Sequence, residues 1–191
     1  MNNLNLILKL AKTAGYLKRI KRTGWVRKGI KDAESVADHV FRTAFLCMIL
    51  TREMNINYKK LIDMTLIHDL GETATSDIRY EEGKKIIASE KAKNQIEEDV
   101  FKMFFSGVED GKYYLGLWYE FRDQTSKEAK LLKQIEKIEM ALQALEYENM
   151  GFPSDLLNEF FENADKYVKD RELRNLLLTL NRERKSRKNK T

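Results

Sequence analysis

The longest helical pattern of the chain lies in residues 126–149, which read SKEAKLLKQIEKIEMALQALEYEN. Its apolar side chains recur every three or four positions, at Leu131, Ile135, Ile138, Leu142 and Leu145. This spacing is the 3.6-residue period of an α-helix that buries one face. The stretch therefore predicts a long amphipathic helix of about six turns, and with it a helical domain.

The composition of the whole chain favours the same fold class. Its 191 residues include a single proline and nine glycines, and 34% of them are charged. Few helix breakers and many charges are typical of helical proteins rather than of sandwiches or barrels. Apolar periods predict further helices near residues 4–17, 35–54, 58–70, 84–105, 113–122, 154–167 and from 170 onward. We predict an all-α, single-domain helical bundle over residues 1–181, followed by a basic, disordered tail at residues 182–191.

The predicted helix at residues 35–54 differs from the others because it is apolar on nearly every side. Its residues include Val36, Val40, Phe41, Phe45 and Ile49. A helix without a polar face is typical of the centre of a domain. We therefore expect this helix to be buried.

The net charge of +5 is distributed unevenly along the chain. Residues 1–31 carry +9, residues 32–181 carry −9, and the last ten residues carry +5. A basic end of this kind is more often solubilising than nucleic-acid-binding, and no aromatic side chains alternate with its charges for stacking on bases. We therefore do not expect a nucleic-acid partner, and we read the basic N-terminal segment as a source of cations for a small anionic substrate.

The sequence carries no signal for a membrane or a secretory route. Its longest apolar run, Ala44–Leu50, has seven residues, far fewer than the roughly 20 that span a bilayer. The first positive side chain follows the N-terminal apolar stretch, which is the wrong order for a secretion signal. A single cysteine, Cys47, excludes an internal disulfide and a cysteine-based zinc site. We expect a cytoplasmic protein without a membrane partner.

The chain has only two histidines, and each stands beside an aspartate, as Asp38-His39 and as His68-Asp69. The helical period places His68 and Asp69 on the apolar side of their helix. A carboxylate that faces a core needs a positive partner, and a metal ion would satisfy the aspartate and the histidine together. The alternative is a pair of core histidines, each hydrogen-bonded to a neighbouring acid. Spacing alone leaves both interpretations open.

Two longer fragments, Glu34-Ser-Val-Ala-Asp-His39 and His68-Asp69-Leu-Gly-Glu72, resemble the HD-domain metal-dependent phosphohydrolases. Three more make the 5′-deoxynucleotidase branch the most similar: Leu17-Lys-Arg-Ile-Lys-Arg-Thr-Gly-Trp-Val, Thr75-Ser-Asp77, and Glu139-Met-Ala-Leu-Gln-Ala-Leu-Glu-Tyr-Glu148. The resemblance implies an all-α HD-domain bundle that hydrolyses deoxyribonucleoside 5′-monophosphates to deoxynucleoside and phosphate. The alternatives are an HD phosphohydrolase for another nucleotide or a phosphodiester, and a non-catalytic HD protein that binds nucleotides or nucleic acid.

The resemblance also implies a divalent metal site, with Mn, Co or Mg as the ion. It assigns the ligands to His39, His68, Asp69 and Glu136. The last is a departure, since the family has aspartate at the position of Glu136. A glutamate keeps the carboxylate on a longer side chain, so either the site is retained, or it is weakened or its metal preference is altered. We favour retention, because an inward glutamate without a ligand would have to be protonated or paired.

The remaining site residues come from the same resemblance. Glu72 and Asp77 are assigned to acid/base chemistry and to orienting water, and Arg22 and Trp25 to substrate binding. An arginine fork suits a phosphate, and an indole offers a flat face to a sugar or base. The alternatives are that Glu72 and Asp77 are turn and cap residues, that Arg22 is a solvated charge, and that Trp25 fills the core.

The family is commonly dimeric, so the resemblance also implies a homodimer. Aromatic residues are concentrated between Tyr113 and Phe121. We expect these aromatic side chains to be exposed and to bury against a second copy of the chain.

Overall fold

Helices account for the regular structure in a computed structural model that describes residues 4–74 and 90–188. They are α1 (Leu4–Tyr16), α2 (Thr23–Arg27), α3 (Val36–Leu50), α4 (Tyr58–Ile67), α5 (Glu90–Phe105), α6 (Gly111–Asp123), α7 (Lys127–Asn149), α8 (Ser154–Tyr167) and α9 (Arg171–Lys188). These described residues form no strand, only an isolated antiparallel bridge between Lys21 and Ser35. The predicted all-α fold is confirmed. None of the described helices has the length and hydrophobicity needed to cross a membrane.

The chain divides into two compact units. The first comprises Met1–Phe41 and Asp63–Asp123, and the second comprises Arg42–Ile62 and Gln124–Thr191. The division passes through α3 and through α4.

The first unit is built around an apolar cluster and a set of stacked rings. Leu17, Ile20, Val36 and Val40 form the cluster. Between α5 and α6 the rings of Phe101 and Trp118 stack, 4.9 Å apart. Stacked rings at this distance add packing energy to their burial.

The aromatic residues of α6 serve mainly this internal packing. Among these aromatic residues Trp118 is buried and Tyr113 is exposed. The other three, Tyr114, Tyr119 and Phe121, are half-buried. The prediction of an exposed aromatic surface at residues 113–121 is therefore wrong, because most of these rings pack within their own unit.

The second unit packs α7, α8 and α9 together, and its buried side chains include Leu132, Ile135, Leu157, Phe160 and Leu177. The predicted helix at residues 126–149 is confirmed, with clear signals at both ends. The hydroxyl of Ser126 accepts the Ala129 N–H at the start. At the end Gly151 has φ +97°, and the Phe152 N–H reaches the Tyr147 carbonyl, as in a Schellman motif.

Two predictions about helix environment and extent need correction. The apolar helix α3 is not buried on every side, since Phe41, Phe45, Met48 and Ile49 are exposed, Phe41 by 73%. The last helix, α9, continues to Lys188, so residues 182–188 are helical where the sequence predicted a disordered tail.

Arg184 gives the physical reason for the longer last helix. Its Nε lies 2.9 and 3.0 Å from the two carboxylate oxygens of Glu148, and Nη2 donates to Asn158 Oδ1 at 2.7 Å. The guanidinium also lies 3.8 Å from the centroid of the Phe161 ring. Part of the basic charge near the end of the chain therefore anchors α9 to α7 and α8.

Replacing Arg184 with alanine should lower the free energy of unfolding by about 2–3 kcal/mol, because the largely buried Glu148 carboxylate loses its charged donor. Urea unfolding followed by circular dichroism measures the change. Arg182→Ala is the matched control, since Arg182 is exposed on the same helix and its loss should cost less than about 0.5 kcal/mol. Equal stability of the two variants would contradict the anchoring role of Arg184.

Candidate active site

The start of α3 determines where His39 lies. The Ser35 N–H donates to Asp38 Oδ2 at 2.8 Å, and the Asp38 N–H donates to the Ser35 hydroxyl at 3.1 Å. This reciprocal pair is a capping box with aspartate at its fourth position, and it fixes the first turn of the helix. His39 follows directly and is completely buried.

His68 and Asp69 lie in the turn that follows α4. The Nδ1 atom of His68 is 2.7 Å from the Thr65 carbonyl oxygen. Because a carbonyl only accepts hydrogen bonds, Nδ1 carries a hydrogen and Nε2 presents the ligand lone pair of the neutral ring. The Phe121 ring packs edge-on against His68 with 5.0 Å between centroids. The orientation of this imidazole is therefore fixed on two sides.

The imidazoles of His39 and His68 both approach one carboxylate oxygen of Asp69. Asp69 Oδ2 lies 3.4 Å from His68 Nε2 and 3.9 Å from His39 Nε2, which are longer than ordinary hydrogen bonds. Ligands about 2.1 Å from a shared cation are typically about 3–4 Å apart. Two imidazole nitrogens and a carboxylate oxygen are therefore a donor set that fits a divalent cation, with coordination positions left for water and substrate.

Arg22 and Glu72 lie beside this cluster. Arg22 Nη1 donates to the same Asp69 Oδ2 at 3.0 Å and lies 3.9 Å from Glu72 Oε1. The backbone of this arginine is held as well, because its N–H donates to the Glu34 carbonyl at 3.0 Å. The first unit thus brings together five of the predicted site residues: Arg22, His39, His68, Asp69 and Glu72.

Trp25 occupies a different kind of position. Its side chain is only 1% exposed, and its indole Nε1 donates to Glu34 Oε1 at 2.8 Å. This is a core position, which was the alternative interpretation of Trp25, and its contact with substrate stays a prediction. Glu34 begins the Glu34–His39 fragment, and the sequence alone indicated no role for it. Asp77 lies outside the described residues.

Glu136 belongs to the second unit, on α7. It is 6% exposed, and its two oxygens lie 3.1 Å from Lys133 Nζ and 3.6 Å from Lys137 Nζ. A buried carboxylate needs such compensation, so the two lysines provide the pairing that was the alternative to ligation. Its assignment as the fourth ligand stays a prediction.

Within the second unit, Arg42 pairs with two carboxylates of α7 that follow Glu136. Its Nε donates to Glu139 Oε1 at 2.9 Å, and Nη1 lies 2.8 Å from Glu146 Oε2. Burial disfavours the charged guanidinium, but the two carboxylates outweigh it and raise the pKa of Arg42 above its usual value. Glu139 and Glu146, from the late fragment of the family resemblance, therefore have a structural role as partners of Arg42.

Sequence comparison finds relatives along most of the chain. The family model described as HD domain matches residues 14–175. The 5'-deoxynucleotidase HDDC2 of Dictyostelium discoideum is 37% identical over 193 residues, covering 93% of this chain and 98% of that protein. The 5'-deoxynucleotidase HDDC2 of Danio rerio is 34% identical over 180 residues, covering 93% of this chain and 88% of that protein.

Solved structures agree with the sequence comparison. A conserved hypothetical protein from Pyrococcus furiosus has a TM-score of 0.73 and 32% identity, covering 92% of this chain and 99% of that chain. A predicted metal-dependent phosphohydrolase from Magnetospirillum magnetotacticum has a TM-score of 0.68 and covers 97% of this chain and 94% of that chain. At 17% identity, this second likeness shows the fold alone. With a family model that matches residues 14–175, the chain belongs to the HD domain family.

Proposed function

We propose that this protein is a metal-dependent 5′-deoxynucleotidase that hydrolyses deoxyribonucleoside 5′-monophosphates to deoxynucleoside and phosphate. The observation that carries the proposal is the convergence of His39 Nε2 and His68 Nε2 on Asp69 Oδ2, with the Arg22 guanidinium on the same oxygen. The relatives named 5'-deoxynucleotidase supply the substrate class.

His39, His68 and Asp69 would hold the divalent ion, with Mn, Co or Mg as the candidates. Glu136 is proposed as a fourth ligand on the family resemblance. When bound, the ion supplies Lewis-acid stabilisation of the charge on the phosphoryl group. The hydrogen bond from His68 Nδ1 to the Thr65 carbonyl orients this ligand before any ion arrives.

Arg22 provides the positive charge that a phosphate dianion needs beside an acidic site. Its planar guanidinium offers several donors, so it can contact Asp69 and a phosphate oxygen together. The hydrogen bond from the Arg22 N–H to the Glu34 carbonyl fixes the backbone from which this side chain extends. We assign Arg22 to orienting the phosphate, and Trp25 to the wall of the nucleotide site.

Glu72 is proposed to move the proton. Hydrolysis adds water to phosphorus and breaks the bond to the 5′ oxygen, so one proton must leave the water and one must reach the departing oxygen. The Glu72 side chain is 25% exposed and lies 3.9 Å from Arg22, so it can reach both solvent and the phosphate position. Asp77 is proposed to share in orienting the water.

Metal-dependent phosphate release tests the proposed function. Protein stripped with a chelator should release no phosphate from deoxyribonucleoside 5′-monophosphates, and adding Mn²⁺, Co²⁺ or Mg²⁺ should restore release. The matching ribonucleotides serve as the control and should be poorer substrates. Absence of release with every ion and every deoxynucleotide would contradict the enzyme and favour a non-catalytic nucleotide- or nucleic-acid-binding protein. If only other nucleotides or phosphodiesters are hydrolysed, the result would favour an HD phosphohydrolase for those substrates.

Asp69→Asn should lower kcat by about a thousandfold, because loss of several kcal/mol of metal-dependent stabilisation corresponds to that factor. Steady-state kinetics measure the effect, and circular dichroism should show an unchanged helix content. Asp63→Asn removes the same charge from α4, where Asp63 accepts a hydrogen bond from Tyr113, and should keep most of the activity. Near-normal turnover of the Asp69 variant would contradict the assignment of Asp69 as a metal ligand.

Glu136→Gln should weaken Mn²⁺ binding to the metal-free protein by about tenfold or more if Glu136 is a ligand. Calorimetric titration measures the affinity. Glu136→Asp restores the family residue and should bind Mn²⁺ at least as tightly as the wild type. An unchanged affinity in the glutamine variant would mean that Glu136 only balances the charges of Lys133 and Lys137.

The partner and location complete the proposal. We propose a homodimer, and the exposed apolar face of α3 and α4 within the second unit, formed by Phe45, Met48, Ile49 and Tyr58, supports it. This face replaces the aromatic surface expected on α6, and light scattering tests the assembly. We propose a cytoplasmic location because the single cysteine permits no internal disulfide.

A further inference from the structure

Glu34 is a buried acid that the reaction outlined above does not use. Its side chain is 9% exposed, and Oε1 accepts the indole N–H of Trp25 at 2.8 Å. Its backbone carbonyl accepts the N–H of Arg22. One residue therefore contacts both members of the predicted substrate-binding pair.

Glu34 also lies against a predicted metal ligand. A carboxylate oxygen of Glu34 lies within 4.8 Å of a ring nitrogen of His39. The capping box explains this approach. With Ser35 as the N-cap of α3, Glu34 is the residue before the cap and His39 is the fourth residue of the helix. Side chains at these two positions commonly contact each other, as in the hydrophobic staple.

In this protein the two positions hold a carboxylate and an imidazole instead of two apolar side chains. His39 Nε2 faces Asp69, so the ring hydrogen is on Nδ1 when Nε2 donates its lone pair to a cation. A buried negative charge near the ring stabilises the positive charge that the imidazole acquires when Nε2 binds a cation. Because Glu34 also binds the Trp25 indole, the position of its carboxylate depends on Trp25.

We propose that Glu34 is a positioning residue that links Trp25 to His39, so that the wall of the nucleotide site and the metal site are adjusted together. This inference rests on the proposed function and deepens it. Glu34 acts through its two neighbours, since it orients the indole with one oxygen and stabilises the imidazole with its charge.

The test compares Glu34→Gln with Glu128→Gln in the full chain. The glutamine at position 34 keeps an oxygen for the indole but removes the charge beside His39. Glu128 is a matched control because it is a buried carboxylate that accepts the Asn57 N–H, and it stands about two turns before Glu136 on α7. Mn²⁺ affinity of the metal-free protein is measured by calorimetry. The two indole N–H signals expected from two tryptophans are followed by NMR.

Glu34→Gln should weaken Mn²⁺ binding by about tenfold and shift the Trp25 indole signal, while Glu128→Gln leaves both near the wild-type values. Wild-type affinity in Glu34→Gln, or an equal loss in Glu128→Gln, would overturn the inference. If Glu34→Gln does not fold, Trp25→Phe decides, since removal of the indole donor should also weaken Mn²⁺ binding severalfold and an unchanged affinity would overturn the link. Failure of the wild type itself to bind Mn²⁺ and release phosphate would instead contradict the proposed function.

Discussion

The charge of Asp69 is the constraint on which the first unit depends. A carboxylate with little access to water must be surrounded by donors or by positive charge. Here His39, His68 and Arg22 are all directed at its Oδ2 atom. Each of the three comes from a different part of the chain, so the position of α3, the turn after α4 and the segment after α1 are all defined relative to one oxygen atom.

The backbone supports this convergence before any side chain is considered. Between the segment after α1 and the start of α3, Arg22 donates to the Glu34 carbonyl and Val36 donates to the Ile20 carbonyl. The capping box then sets the first turn of α3. The side chains of the site are consequently held by hydrogen bonds of the main chain, which are costly to break when buried.

Much of this arrangement is predictable from the sequence, and the failures have physical causes. The periods of α7 and α8 and their signals at Ser126 and Gly151 are local, and they locate both helices correctly. The His68-Asp69 pair and its apolar surroundings indicate the site. By contrast, the exposure of Phe41 depends on what packs against α3, and helix formation beyond Asn181 depends on the Arg184 contacts with α7 and α8. Such tertiary effects produce no periodic pattern in the local sequence. The capping pattern that brings Glu34 near His39, by contrast, can be read from residues 34–39.

The bridge between Lys21 and Ser35 has a consequence for how such a site can diversify. It closes residues 22–34 into a loop whose two ends meet, with Arg22 at one end and Glu34 at the other. Closure entropy changes slowly with loop length, so exposed positions of this loop such as Arg27 and Lys31 can be exchanged with little effect on the two ends, whereas the buried Trp25 is bound to Glu34. The exposed surface of this loop can therefore evolve separately from the residues that hold the phosphate and the metal, whereas a change at Trp25 would reach both.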